Sequence, residues 1–173
     1  MSATILQRRH FTTNNASNYF TLEGLQKETG QAHSHFRHVA LKELIDNALD
    51  AAETAGVAPD IAVEFTESEH GLTLTITDNG PGIPADVVAR IVSNFSSSTS
   101  DKAAYRAPLR GAQGNALKTV IGMPVACGAE RSRLVIAAAG VLHDLEVWPS
   151  LIGDVRYQHH QSPAETRGTR ITL

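Results

Sequence analysis

The chain has 173 residues, a formal net charge of −3, 42% apolar residues and 19% charged residues. That length fits one domain with or without an arm, and the apolar content supports a buried core, which excludes a disordered chain. The balance is not basic, so charge alone announces no nucleic-acid footprint and any DNA contact is expected to be indirect. A single cysteine, Cys127, excludes an internal disulfide and a thiolate zinc site.

The first residues are polar, and no apolar run follows Arg8 and Arg9, so no secretory signal is expected. No stretch approaches the ~18–20 apolar residues that cross a bilayer. A cytoplasmic, reducing compartment is therefore the expected location, with no membrane partner. Residues 1–20, with Phe11, Tyr19 and Phe20 as scattered anchors, read as an arm that docks on something. Residues 21–173 read as the domain itself.

A short helix is expected over 22–29, then a long one over 34–55, closed by Gly56 and followed by Pro59. Ile61, Val63 and Phe65 alternate with Ala62 and Glu64, and Leu72, Leu74 and Ile76 alternate with threonines. The two runs form a hairpin. Asp78-Asn-Gly-Pro-Gly82 is a turn-rich break, and a short helix over 86–92 follows it. Residues 94–114 read as a long irregular stretch, which inside a compact domain is commonly functional. A helix is expected to start at Asn115 and to end at Gly122 and Pro124. Residues 134–138 and 141–147 predict a hairpin turning at Gly140. A weak strand over 155–158 and a final strand over 167–173 complete the chain. Helices, a hairpin, helices and then a run of strands predict an α+β two-layer sandwich rather than an alternating doubly wound sheet.

Three features carry chemistry. On the long helix Glu43, Asn47 and Asp50 stand at i, i+4 and i+7 and share one face. A solvated face is the ordinary meaning of such a stripe, but Asn47 and Asp50 are poor helix formers placed mid-helix. Gly80 and Gly82 follow Asp78 in a tight turn that lets backbone approach a flat ligand. Gly111-Ala-Gln-Gly-Asn-Ala116 places glycines just before a helix, where free amides suit phosphate. The Gly-Lys-Ser/Thr of a Walker A loop is absent.

Taken in this order, the pieces resemble the GHKL ATPases, which share the Bergerat fold. Glu43-Leu-Ile-Asp-Asn-Ala-Leu-Asp-Ala51 looks like their N-box. Asp78-Asn-Gly-Pro-Gly82 resembles the first glycine box, and Gly111-Ala-Gln-Gly-Asn-Ala116 resembles the second. Gly168-Thr169 before an apolar strand is similar to the Gly-Thr that ends their nucleotide domain. Within that superfamily the likeness is closest to the B subunits of topoisomerase VI, with MutL second. The histidine-kinase branch fits less well, because its N-box seldom carries an Asp at the position of Asp50.

The resemblance implies helices on one face of a mixed, mostly antiparallel sheet, with ATP and Mg²⁺ as cofactors. It implies Glu43 as general base, Asn47 as the Mg²⁺ ligand, and Asp78 as acceptor of the adenine amino group. Asp50 would support the adenine end or order water there. Gly80, Gly82 and Ile83 would line the base, and Thr169 would reach it through a water. Gly111, Gln113, Gly114, Asn115 and Ala116 would cradle the phosphates, and Lys102, in a lid, would contact them. Ala116 stands where topoisomerase VI has Gly. The relatives take a catalytic Lys from a transducer domain beyond the nucleotide domain, so hydrolysis is expected to need residues past Leu173. A nucleotide-driven homodimer, coupled to a downstream domain or partner, follows from the same likeness. The alternatives are a catalytically silent nucleotide-binding or interaction module and, more weakly, a histidine-kinase-like catalytic domain. Cys127 and Trp148 read as packing residues, Arg131 and Arg133 as a solvated strand entry, and His159 and His160 as surface or packing residues.

Overall fold

The computed structural model describes residues 15–69, 71–96, 115–150 and 154–173. The start of the arm, the lid with Lys102, and Gly111, Gln113 and Gly114 lie outside the described residues. The helices are α1 (Leu22–Thr29), α2 (Phe36–Ala55), α3 (Ala85–Ser96) and α4 (Asn115–Ala126). The strands are β1 (Ile61–Ser68), β2 (Gly71–Asp78), β3 (Ser132–Ala138), β4 (Val141–Pro149), β5 (Val155–Pro163) and β6 (Thr169–Thr172). The strand order is β1-β2-β6-β3-β4-β5. Every pairing among these strands is antiparallel, so the expected α+β sandwich is present with a sheet more uniform than the mixed one anticipated.

The four central strands bury one face. Ile76, Ile171, Ile136 and His143 form a continuous row across four strands in register, and all four are buried. The α2, α4 and α3 helices lie against β2, β3 and β5 respectively. Helix α2 buries Phe36, Ala40, Leu44, Ala48 and Ala52, a stripe at strict i+4 spacing. Its three alanines keep the helix close to its neighbours, which leaves Glu43, Asn47 and Asp50 half-buried beside the stripe. The left-handed cap at Gly56 (φ 66°) ends it, with Val57 N–H returning to the Ala52 carbonyl at 3.1 Å.

The segment Asn15–Phe20 is a 3-10 turn wedged against α1 and α4. A Cβ added at Gly122 would collide with the Tyr19 carbonyl, and one added at Gly24 with that of Asn18. Gly122 is therefore a contact glycine and not a helix terminator. Helix α4 runs through it and through Pro124 to Ala126. Pro124 forfeits a hydrogen bond near the helix end, but Leu117, Val120, Ile121 and Met123 are all buried, and that burial outweighs the loss.

Other boundaries differ from expectation in both directions. Helix α2 starts at Phe36 behind a 3-10 turn at His33–His35, and α3 extends to Ser96. Strand β5 runs to Pro163 because nine residues pair with β4, overriding the weak strand preference of His159, His160 and Gln161. Strand β6 begins only at Thr169. Cys127 is exposed in the turn after α4, not a packed core residue. Among the described residues no helix is long and apolar enough to cross a membrane.

Candidate functional site

The site is built around Asp78, the last residue of β2, which is 8% exposed. Its Oδ1 accepts hydrogen bonds from Gly80 N–H at 2.8 Å and from Thr169 N–H at 3.1 Å. One oxygen thus fixes the carboxylate to both the first glycine turn and the start of β6. No hydrogen bond reaches Oδ2 among the described residues. Two backbone donors on one carboxylate oxygen are a strong restraint on its direction.

Glycines make this convergence possible. Gly168 (φ 71°) lies directly on the Asp78 backbone, where a Cβ would strike the carbonyl. Gly82 (φ 83°) faces the β3–β4 turn, and an added Cβ would stand 3.0 Å from Ala139 N and 3.4 Å from Gly168 O. Gly80 faces α2, where a Cβ would come within 2.6 Å of Ala51 Cβ. Four segments that are remote in sequence therefore meet with no side chain between them. Ile83, just past the turn, packs against the core.

The Gly80–Ala51 contact fixes which face of α2 overlooks the turn. Asn47 is one turn before Ala51 and Glu43 one turn earlier, so the sequence-expected stripe runs along α2 away from Asp78. Asp50 sits beside Ala51 at the near end. Asn47 makes no side-chain hydrogen bond among the described residues. Glu43 has Lys42 at 3.6 Å, but Lys42 is held mainly by Asp46 at 2.7 Å. That hydrogen bond raises the Lys42 pKa above the ordinary lysine value. Glu43 and Asn47 remain available to a ligand.

Helix α4 starts at Asn115, directly after the second glycine loop, and Ala116 is half-buried in its first turn. The first amides of such a helix have no partner within it. Lys118 lies in the same turn, and burial lowers its pKa below the ordinary lysine value. The structure thus brings Asp78, Gly80, Gly82 and Thr169 together against Ala51 of α2, with Asp50 next to Ala51 in the chain and Asn47 and Glu43 one and two turns further along the helix.

Two side chains escape a reading of the sequence. Asn79 bonds across to the segment before β1, and only the frequency of Asn in turns hints at a role. His143 is fully buried and pairs with His159 at 2.9 Å. A lone His in an alternating strand gives no such signal. Trp148 carries the Arg131 guanidinium over its ring at 4.4 Å. Arg131 and Arg133 are ion-paired to Glu146 and Asp144, so that strand entry is more ordered than a merely solvated one.

Residues 33–173 match the family described as histidine kinase-, DNA gyrase B-, and HSP90-like ATPase, and the chain belongs to that family. Among curated proteins it is similar to the B subunit of type 2 DNA topoisomerase 6 from Thermococcus onnurineus, at 30% identity over 139 residues. The corresponding protein of Thermococcus kodakarensis is 32% identical over 139 residues. Each match covers 76% of this chain and 24% of the relative. The corresponding protein of Halobacterium salinarum is 52% identical over 52 residues, which is 30% of this chain and 6% of the relative. The chain therefore spans about a quarter of the length of the Thermococcus relatives it matches.

Proposed function

We propose that the chain binds ATP with Mg²⁺ at the Asp78 end of the sandwich and serves as the ATP-hydrolysing domain of a topoisomerase VI B-like protein. The observation that carries this reading is the Asp78 carboxylate. Its Oδ1 is anchored by two backbone amides and its Oδ2 is left to accept the amino group of adenine. Gly80, Gly82 and Gly168 pack four segments of backbone closely beside that carboxylate, which holds it in place for a flat base. The Thr169 hydroxyl would reach that base through a water, and Asp50 would order the water at the near end of α2.

From Ala51 back to Glu43 is about 12 Å along the helix at 1.5 Å per residue. The ridge thus leads from the base toward the phosphates. Glu43 would act there as general base toward the attacking water. Asn47 would hold Mg²⁺, an ion that takes oxygen ligands and, when bound, offsets phosphate charge. Residues Gly111, Gln113, Gly114, Asn115 and Ala116 would cradle the phosphates, with Lys102 as a further contact, as the family resemblance implies. Binding would order the lid and arm, close a homodimer and drive a partner or further domain.

Thermal unfolding with and without ATP·Mg²⁺ tests the reading. At a hundredfold excess over Kd, ligand stabilises by about 2.7 kcal/mol, a rise of about 5–10 °C for a chain of this size. Asp78→Asn is expected to abolish the rise. Glu43→Ala is expected to keep it while removing phosphate release by the assembled protein. Absence of any rise with adenine nucleotides at millimolar concentration would refute the proposal.

A further inference from the structure

Asn79 follows the last residue of β2, and its side chain does the pairing that its backbone gives up. Its Oδ1 accepts from Asp60 N–H at 3.0 Å, and its Nδ2 donates to the Ala58 carbonyl at 2.9 Å. In the β1–β2 register Ile61 faces Asp78, so Asp60 is the residue that would face position 79 in the next rung. The side-chain amide, with one donor and one acceptor engaged, stands in for a peptide group at that rung. The backbone at 79 is thereby free to leave the strand and turn toward α2. There Gly80 meets Ala51 and sends its N–H back to Asp78 Oδ1.

Ala58 and Asp60 belong to the short link 56–60 between the end of α2 and the start of β1. The amide bracket therefore ties that link to the glycine turn. Without it, the turn keeps its contact with Ala51 but loses its polar restraint on the opposite side. Asn79 is exposed, so truncating it opens no cavity and leaves the core unchanged.

We infer that Asn79 is a positioning residue for nucleobase recognition, its amide bracket setting where Asp78 and the Gly80–Gly82 turn stand relative to α2. This rests on the nucleotide reading above. The Asn79 side chain does not itself touch the base. It acts through the direction of the Asp78 carboxylate, so its loss weakens discrimination between bases rather than attraction for phosphate.

The test is equilibrium binding of ATP and of GTP, each with Mg²⁺, to the full chain and three variants, alongside melting without nucleotide. Asn79→Ala removes both bonds. Asn79→Asp keeps the acceptor but sets a carboxylate against the Ala58 carbonyl. Asp60→Pro deletes the donor from the other side. Each is expected to melt cooperatively and to lower the ratio of ATP to GTP affinity by about tenfold, the scale of a lost hydrogen bond. An unchanged ratio, whether both affinities fall together or neither moves, overturns the positioning role. Loss of folding in all three variants overturns it too, because Asn79 would then act on the fold. A wild-type chain that binds neither nucleotide refutes the nucleotide reading itself, which separates the two failures.

Discussion

Gly168→Ala probes the closest approach in the site. Gly168 has φ +71°, and an added Cβ would strike the Asp78 carbonyl oxygen, with the carbonyl carbon at 2.7 Å and Asn79 Cα at 3.0 Å. All three are backbone atoms, Asp78 paired with Ile61 at the end of the β1–β2 ladder and Asn79 tied through its side chain to Ala58 and Asp60, so none can swing aside as a side-chain tip would. Two costs add. Left-handed backbone costs a non-glycine residue about 1–2 kcal/mol, and forced overpacking costs about 1–3 kcal/mol. A total of about 3 kcal/mol lowers Tm by about 6–12 °C for a chain of this size. Gly56→Ala supplies the control, because φ is +66° and nothing lies within 4 Å of the added carbon. It carries the backbone cost alone, a fall of about 2–8 °C. Paired melts by circular dichroism separate the terms. If Gly168→Ala melts no lower than Gly56→Ala, the close packing of Gly168 on Asp78 is wrong, and with it the backbone arrangement proposed to hold the Asp78 carboxylate.

The remaining predictions concern parts away from Asp78. Burial lowers the pKa of both His143 and His159, and the neighbouring imidazoles at His159 and His160 add to the shift. The unfolded chain then binds more protons below about pH 6.5, so stability is full above that pH and falls as pH drops through it. A urea midpoint measured from about pH 7.5 to 5.0 should show this fall, and His159→Gln should flatten it; equal slopes would contradict the pairing. Arg133 bonds both oxygens of Asp144 at 2.9 and 2.7 Å but is exposed, so Arg133→Ala should cost less than about 1 kcal/mol in chemical denaturation. A larger loss would mean that the pair is shielded from solvent. Gly122→Ala improves helix propensity by about 1 kcal/mol but displaces the Tyr19 backbone. Limited proteolysis should therefore cut faster before α1, and an unchanged cleavage pattern with a raised Tm would count against the wedge.

How much of the chain is legible in its sequence varies with the range of the forces involved. The end of α2 is legible because Gly56 and Pro59 act locally, and the β1–β2 hairpin because both runs alternate, although only β2 buries its apolar positions while Val63 and Phe65 of β1 stay exposed. Asp78 and Gly82 are legible as a turn, and the family resemblance assigns them a role. The end of α4 is not, because Gly122 and Pro124 are local breakers whose effect depends on neighbours. Gly122 is small to admit Tyr19, a contact that no pattern within the helix encodes. The extra length of β5 comes from nine rungs shared with β4, and the His143–His159 pair from residues sixteen apart. The Asn79 bracket joins positions nineteen and twenty-one residues apart. Local propensity carries no trace of such distant pairings.

Among the described strands β6 comes last in the sequence and third in the sheet. The β1–β2 hairpin and the β3–β4–β5 meander can each form from near neighbours, yet among the described residues the sheet joins them only through residues 169–173. Thr75 and Thr172 touch at 3.1 Å across a separation of 97 residues. Such non-local closure is slow compared with hairpin formation. During synthesis the two half-sheets must wait, with their apolar edges open, for the final strand to emerge. Thr169 supplies one of the two amides on Asp78, so the proposed base site is completed in the same event that closes the sheet. Recovery of nucleotide affinity during refolding would therefore time the insertion of β6.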